Sequence, residues 1–291
     1  MRVLVTGATD RYGRVTARTL AAEGYEVRAL VPETDGPTAR GLRTRGVDLV
    51  RGRRDQLDHV EDALDDADAL FLATGARTAR EETEQGETLV RAAGRSDLTV
   101  VVHASVLNAD ARPGIPTVDV RADVESALCD LEVPHVSLRT GVPLDAFERV
   151  RTGVETADRL SFPLEGRARA AFTDPLDVGR AAAAVFADPT RLRARADADA
   201  NVDVDVTRST ELAVTSGTHS LYDVADALGT LLGRSIRADP CAPTNAPPAR
   251  RAFYRWVNEG ALLGTGERAF SEVYDVEPSA AGAYFERAGW A

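Results

Sequence analysis

The feature that most constrains this chain is its opening, Met1 to Gly13. Val3-Leu4-Val5 is a short apolar run, Thr6-Gly7-Ala8-Thr9 breaks it, and Gly13 to Leu20 continues with helical spacing. Strand, tight glycine turn and helix start together aim backbone N–H groups and a helix dipole at a diphosphate. The spacing is of the G-x-x-G-x-x-G type, with Gly7 and Gly13 in place and Asp10 at the middle position. A glycine there normally lets the diphosphate approach the backbone. A carboxylate a few ångströms away in a partly dry site costs binding on the order of 1–4 kcal/mol. Arg11 and Arg14 are the neighbours able to offset it, and salt screens part of it. The other use of Asp10 is to cap the helix that follows.

The rest of the chain repeats this unit. Glu26 to Val31 reads as a second strand stopped by Pro32, and Gly46 to Val50 as a third. Leu57, Val60, Ala63 and Leu64 keep a helical period. Ala69-Leu70-Phe71-Leu72-Ala73 and Thr99 to Val102 are continuous apolar runs, as in parallel strands buried on both faces. A helix through Val120, Val124 and Leu128 leads to a sixth strand at His135 to Leu138. Strands alternating with helices at this pitch give an α/β fold, a doubly wound parallel sheet. Beyond Gly141 the pattern loosens. Asp177 to Ala187 is an alanine-rich helix packing on the sheet, and Asn201 to Val206 alternates valine with polar residues as a surface strand. Asp197 to Asn201 imitates a calcium loop but lacks its glycine and its last acidic ligand. Ser220 to Asp223 has the form of a capping box before a helix closed by Gly233. Pro240 to Pro248 reads as a linker, and Pro278-Ser279 as the opening of a final helix. Domain boundaries follow: residues 1–142 form the nucleotide-type domain, to which the chain returns at about 172–215. Residues 143–171 and 216–291 form a smaller C-terminal α/β lobe.

Composition narrows the function. The 291 residues carry 46 acidic and 35 basic side chains, a formal charge of −11, and every basic one is arginine. Nucleic acid and anionic membranes are disfavoured partners for such a chain. The balance suits a halophilic protein with a hydrated acidic surface, although a GC-rich genome also replaces lysine by arginine. Without lysine there is no Schiff base, no P-loop lysine and no Tyr-x-x-x-Lys pair. Cys129 and Cys241 fit no metal or redox spacing and read as reduced thiols. The chain enters a strand at once, which leaves no room for a signal peptide, and no apolar run reaches membrane-spanning length. A soluble, cytoplasmic protein is expected.

The expected cofactor-binding residues are Gly7, Ala8, Thr9, Asp10, Arg11, Tyr12 and Gly13, then Thr74 and Gly75 at the end of the fourth strand, and Ser105 at the fifth. Ligands bind at that carboxyl edge in doubly wound sheets. Ser105 is also the candidate catalytic hydroxyl, placed to orient a substrate carbonyl with Asn108 nearby; a turn serine bonded to local backbone is the plain alternative. His103 reads as a core histidine, and no metal-ligand spacing is present. At the end of the second strand, Arg28, Pro32 and Glu33 offer nothing good for a 2′-phosphate. That favours NAD over NADP.

V-T-G-A-T-D-R-Y-G, V-R-A-L-V-P, D-A-L-F-L-A-T, E-Q-G-E-T-L-V-R-A-A, V-V-H-A-S-V and H-V-S-L-R-T-G together resemble the NmrA-like branch of the atypical short-chain dehydrogenase/reductases. F-T-D-P-L-D-V-G and S-L-Y-D-V-A-D-A-L-G-T-L-L-G-R extend the resemblance into the C-terminal part. It implies a Rossmann domain plus a small lobe with the ligand cleft between them. It further implies an NAD(P)H-dependent oxidoreductase of a quinone-like or small carbonyl acceptor; the alternatives are a non-catalytic redox sensor acting through a protein partner and a scaffold with a degenerate site. Three departures stand out. Arg53 replaces an acid that contacts adenine in relatives, Arg121 stands four residues before Glu125 where relatives carry lysine, and Thr117 replaces the dehydrogenase tyrosine. Arginine holds its proton too tightly for acid–base work near neutral pH.

Overall fold

The apolar runs become the inner strands of one parallel sheet in the computed structural model, which describes residues 1–75, 78–191, 209–242, 246–263 and 268–291. Seven strands and a two-residue edge strand lie in the order β3-β2-β1-β4-β5-β6-β10-β13. They are β1 (Arg2–Val5), β2 (Glu26–Val31), β3 (Asp48–Arg51), β4 (Ala69–Leu72), β5 (Val100–Val106), β6 (His135–Thr140), β10 (Ser209–Val214) and β13 (Arg268–Ala269). Every pairing in the sheet is parallel. All residues of β4, β5 and β6 are buried, as strands covered on both faces must be. The order reverses between β1 and β4, so the ligand crevice of such a sheet opens at their carboxyl ends.

Helices α1 (Arg11–Ala22) and α7 (Pro175–Ala187) pack together on one face, where Ala17, Leu20, Val178 and Phe186 join the core. The other face carries α3 (Leu57–Leu64), α4 (Ala79–Ala93) and α5 (Pro116–Cys129), packed through Val60, Leu89, Val124 and Leu128. A short α2 (Pro37–Arg43) adds Leu42 to the first face.

A separate core gathers the lobe. It contains the sheet β7 (Val142–Pro143), β9 (Arg169–Thr173) and β11 (Thr218–Ser220), and the pair β8 (Arg159–Phe162) and β12 (Arg237–Pro240). Around them lie α6 (Arg151–Ala157), α8 (Leu221–Leu232), α9 (Pro248–Asn258) and α11 (Ala281–Arg287). Phe147 is its centre, with ring centroids 4.2 Å from Phe162, 5.6 Å from Phe172 and 5.8 Å from Phe285. The capping box at Ser220 forms: its hydroxyl accepts the Asp223 N–H, and the Asp223 carboxylate accepts the Ser220 N–H.

Three elements differ from the sequence reading. Within the stretch assigned to the lobe, β13 pairs with β10 of the main sheet, and α10 (Phe270–Tyr274) buries Phe270, Val273 and Tyr274 against the main core. Their i, i+3, i+4 spacing is that of a sheet-packing helix. The final helix begins at Ala281 rather than Pro278, because Ser279 is occupied: its N–H and hydroxyl both donate to the Asp177 carboxylate, each at 2.8 Å. The stretch read as a linker from Pro240 to Pro248 is shorter at both ends: Pro240 ends β12 and Pro248 occupies the first turn of α9. The alternating Asn201–Val206 stretch and the calcium-loop imitation lie outside the described residues. Among those described, no helix is long and apolar enough to cross a membrane, and no group of acidic, His or Cys side chains forms a metal site.

Candidate functional site

The glycine turn is built as the sequence demands. Gly7 has φ +64°, a left-handed conformation that side chains rarely adopt, and a Cβ on Gly13 would fall 2.3 Å from the Gly7 carbonyl oxygen. Helix α1 can therefore start directly against the turn. The Thr6 hydroxyl accepts the Ala73 N–H at 2.9 Å and lies 3.2 Å from the Phe71 and Ala73 carbonyls, which ties the end of β1 to the end of β4. Gly7–Asp10 and Thr74–Gly75 thus face each other across the switch point; a Cβ on Gly75 would meet the Asp10 carboxylate at 3.3 Å.

Asp10 stands at the N-cap position of α1, yet its side chain accepts nothing from the helix, and no acidic residue occupies the first turn. The capping role is thereby excluded. The carboxylate instead pairs with Arg54, Nη1 to Oδ2 at 2.9 Å. The same guanidinium donates to the Ala73 carbonyl at 3.0 Å and the Gly75 carbonyl at 2.8 Å, and lies 3.0 Å from where a Gly7 Cβ would be. Arg54 therefore supplies the compensation expected of Arg11 or Arg14. Arg11 is turned away, with its Nε 2.5 Å from Asp145 Oδ1. These residues fit a diphosphate: the first-turn amides of α1 have no side-chain cap, and the intruding carboxylate is neutralised by a cation on the same crevice. Sequence reasoning missed Arg54. The signal was the R-G-R-R run closing β3, whose carboxyl end shares the edge with the glycine turn. Arg53, the residue singled out instead, is exposed and pairs with Asp55.

Next to the turn a cleft of about 240 Å³ opens between sheet and lobe. Arg11, Tyr12, Thr140 and Gly141 form its sheet side, Thr117 and Arg121 come from α5, and Arg149, Arg250, Phe253 and Tyr254 come from the lobe. The Tyr12 hydroxyl donates to Thr140 Oγ1 at 3.2 Å, and Thr140 in turn donates to the Ser105 carbonyl at 2.9 Å. Burial pushes the Tyr12 phenol above its ordinary value, so it stays a protonated donor at neutral pH.

Ser105 is placed elsewhere. It is 1% exposed, does not line the cleft, and its Oγ has no partner among the described residues. Strand alternation puts it on the face shared by Val101 and His103, toward α4 and α5. Asn108 donates to the Ala261 carbonyl and so ties its loop to the lobe. His103 is buried, its Nδ1 3.3 Å from the Ser137 hydroxyl. Burial, with the nearby Arg121, His135 and Arg139, lowers its pKa to about 3 and keeps it neutral.

Two buried acids, neither prominent in the sequence, hold the cleft wall. Glu82, 3% exposed, accepts the Thr74 hydroxyl and pairs with Arg121 Nη1, both at 3.1 Å. Arg121 also donates to the Thr117 carbonyl. Glu125 receives Arg139 bidentately, Nε at 3.0 Å and Nη2 at 2.7 Å. Arg121, four residues before Glu125, is thus a cation locked to a carboxylate.

The parallel sheet with its switch-point glycine turn and a facing lobe defines an α/β protein of the dinucleotide-binding class. The sequence profile of the NmrA-like family matches residues 1–206, and the chain belongs to that family. It is 31% identical over 182 residues to a (4-alkanoyl-5-oxo-2,5-dihydrofuran-3-yl)methyl phosphate reductase of Streptomyces griseus, a match covering 62% of each chain. The chain spans smaller shares of three other curated relatives, down to 15% of their length. Among solved structures it is similar to the NADPH-dependent quinone oxidoreductase QOR2 of Escherichia coli complexed with NADPH, at TM-score 0.76, 16% identity and 99% coverage of both chains. It is also similar to the negative transcriptional regulator NmrA in complex with NADP, at TM-score 0.70 and 19% identity, covering 100% of this chain and 92% of that one. At such identities these likenesses speak for the fold.

Proposed function

We propose that the protein is an NAD(P)H-dependent reductase of a quinone-like or small carbonyl acceptor. The carrying observation is the cleft itself: a substrate-sized space lies against Tyr12, the residue just before Gly13, at the carboxyl edge of β6. The turn Gly7–Gly13 and the α1 amides hold the diphosphate, with Asp10 and Arg54 as a neutral pair beside it. Bound there, a reduced nicotinamide supplies a hydride. The Tyr12 hydroxyl would turn its proton from Thr140 to the acceptor oxygen while Thr140 keeps its bond to the Ser105 carbonyl, and the lobe aromatics exclude water. An electron-poor acceptor needs little proton delivery from the protein, which suits a wall whose arginine is locked to Glu82. The reductase relative from Streptomyces and the quinone oxidoreductase fold support this reading.

NADH is the favoured reductant. Arg28 is spent on the Ala63 and Asp65 carbonyls, at 3.1 and 2.6 Å, while Pro32 and Glu33 stand exposed at the end of β2. The acidic, lysine-free surface supports operation in high salt, checked by loss of thermal stability on dilution from molar to low salt.

A sensor reading has its own support in the missing proton relay and in the fold shared with the NADP-bound regulator. Calorimetric titration with NADH and NADPH, beside their consumption with naphthoquinone in molar salt, separates the two. Binding with consumption supports the reductase. Binding without consumption by any quinone or small carbonyl overturns it in favour of the sensor, and no binding overturns both.

A further inference from the structure

In a chain with a formal charge of −11, this cleft is lined by four arginines, Arg11, Arg121, Arg149 and Arg250, and by no acidic residue among those described. Two of the four are already answered: Arg11 by Asp145 and Arg121 by Glu82. Arg149 and Arg250 have no carboxylate partner among the described residues. Glu148 is next to Arg149 in sequence but is engaged elsewhere. It accepts the Trp290 indole N–H at 2.6 Å and the Tyr284 hydroxyl at 3.2 Å, and pairs with Arg151 at 3.5 Å.

The two free guanidiniums converge. Partial burial, and then the charges of Arg250 and Arg11, hold the Arg149 guanidinium below its ordinary value against a weaker opposing pull from Tyr254 and Asp145. Burial pushes the Tyr254 phenol up, while Arg149, Arg250 and Arg11 all pull against that shift. Three guanidiniums therefore lie near one phenol at the lobe wall, and the carboxylate acting there, Asp145, is the one paired with Arg11. Unanswered like charges brought together beside a cavity are a destabilising arrangement that an anionic ligand relieves. Apart from Thr117 and Thr140, the remaining walls are apolar or aromatic, among them Val106, Pro143, Phe253 and the rings of Tyr12 and Tyr254.

We propose that the substrate of this cleft is an anion: a small apolar or aromatic body bearing one carboxylate, sulfonate or phosphate group held by Arg149 and Arg250. This deepens the reductase reading and rests on it for the word substrate. Both arginines come from the lobe side, across the cleft from the glycine turn, so their charge serves the acceptor rather than the cofactor diphosphate. The arrangement makes the lobe a selector for charge.

The test compares naphthoquinone sulfonate with unsubstituted naphthoquinone, in steady-state reduction and in calorimetric binding to the protein without cofactor. The sulfonate is expected to show a KM and a Kd about tenfold or more lower. The double variant Arg149→Gln, Arg250→Gln is expected to bring both ratios close to one. If both quinones are reduced alike and neither ratio responds to the variant, the anion site is overturned while the reductase reading stands. If neither is reduced but the sulfonate binds through these arginines, the anion site stands as a ligand site and the reductase reading falls. Weak, arginine-independent binding without reduction overturns both.

Discussion

The two sides of the cleft treat charge in opposite ways. On the sheet side each guanidinium is closed by a carboxylate: Arg54 by Asp10, Arg121 by Glu82, and Arg11 by Asp145. On the lobe side Arg149 and Arg250 stand open beside Tyr254. Exposed arginines such as Arg40 and Arg91 show no ion pair among the described residues either; Arg149 and Arg250 differ in lining a cleft. The closed pairs fix geometry at the edge proposed for the cofactor; the open ones are those the proposed anion would complete.

The largest expected effect lies deepest on the closed side. Arg139 and Glu125 are 9% and 8% exposed and joined by two hydrogen bonds. Glu125→Ala removes the buried carboxylate bonded twice to this cation and leaves its contact with the exposed Asp110, Nη1 to Oδ1 at 3.0 Å. A loss of about 3 kcal/mol is expected, because removing one member of a buried pair strands the other. Chemical denaturation in molar salt reads it directly. A loss below about 1 kcal/mol would mean that packing, not ion pairing, holds this wall.

How much of this was legible in the sequence follows from what kind of signal each part leaves. The sheet was readable because continuous apolar runs and glycine positions are local: Ala69–Leu72 and Val100–Val106 are strands, and Gly7 turns where it must. The site was readable as backbone and not as charge. Asp10 stood out as a problem, but its answer, Arg54, follows β3 and meets it only when the sheet lines up the carboxyl ends of β3, β1 and β4. Glu82 sits among other acids of the E-E-T-E run, and nothing local marks it as the buried one. Ser105 was placed at the right edge of the sheet, yet strand alternation turns it inward, toward α4 and α5. Arg149 and Arg250 carry no local signature at all, since their meaning depends on which carboxylates fail to reach them.

The nucleotide edge gives the middle-sized effect. If the Asp10–Arg54 pair is a neutral unit, Arg54→Ala exposes the diphosphate to an unpaired carboxylate and weakens NADH binding by about tenfold. Asp10→Gly frees a cation beside the same phosphates and strengthens binding. The double variant returns close to the native affinity, so the two changes are coupled rather than additive. Isothermal titration of the four proteins gives the coupling. Tighter binding by Arg54→Ala would instead make the guanidinium an obstruction over Gly7, and the two sides of the cleft would then differ in access rather than in charge.

The smallest effect is the one the open side predicts for stability. Arg149 contributes no ion pair among the described residues and is held beside Arg250 and Arg11 at a cost, so neutralising it removes repulsion and little else. Arg149→Gln is expected to shift unfolding free energy by no more than about 0.5 kcal/mol, with the sign toward a gain. Its exposure limits the size, because solvent and molar salt screen the guanidiniums from one another. Thermal and chemical melts at low and molar salt measure it, and the gain should shrink as salt rises. A loss of more than about 1 kcal/mol would show that Arg149 is tied into the fold like Arg139. The distinction between closed and open cations would then fail where it matters most. Arginines kept for a ligand should be nearly invisible to stability and decisive for binding, and Arg149 is where both halves of that statement can be measured on one side chain.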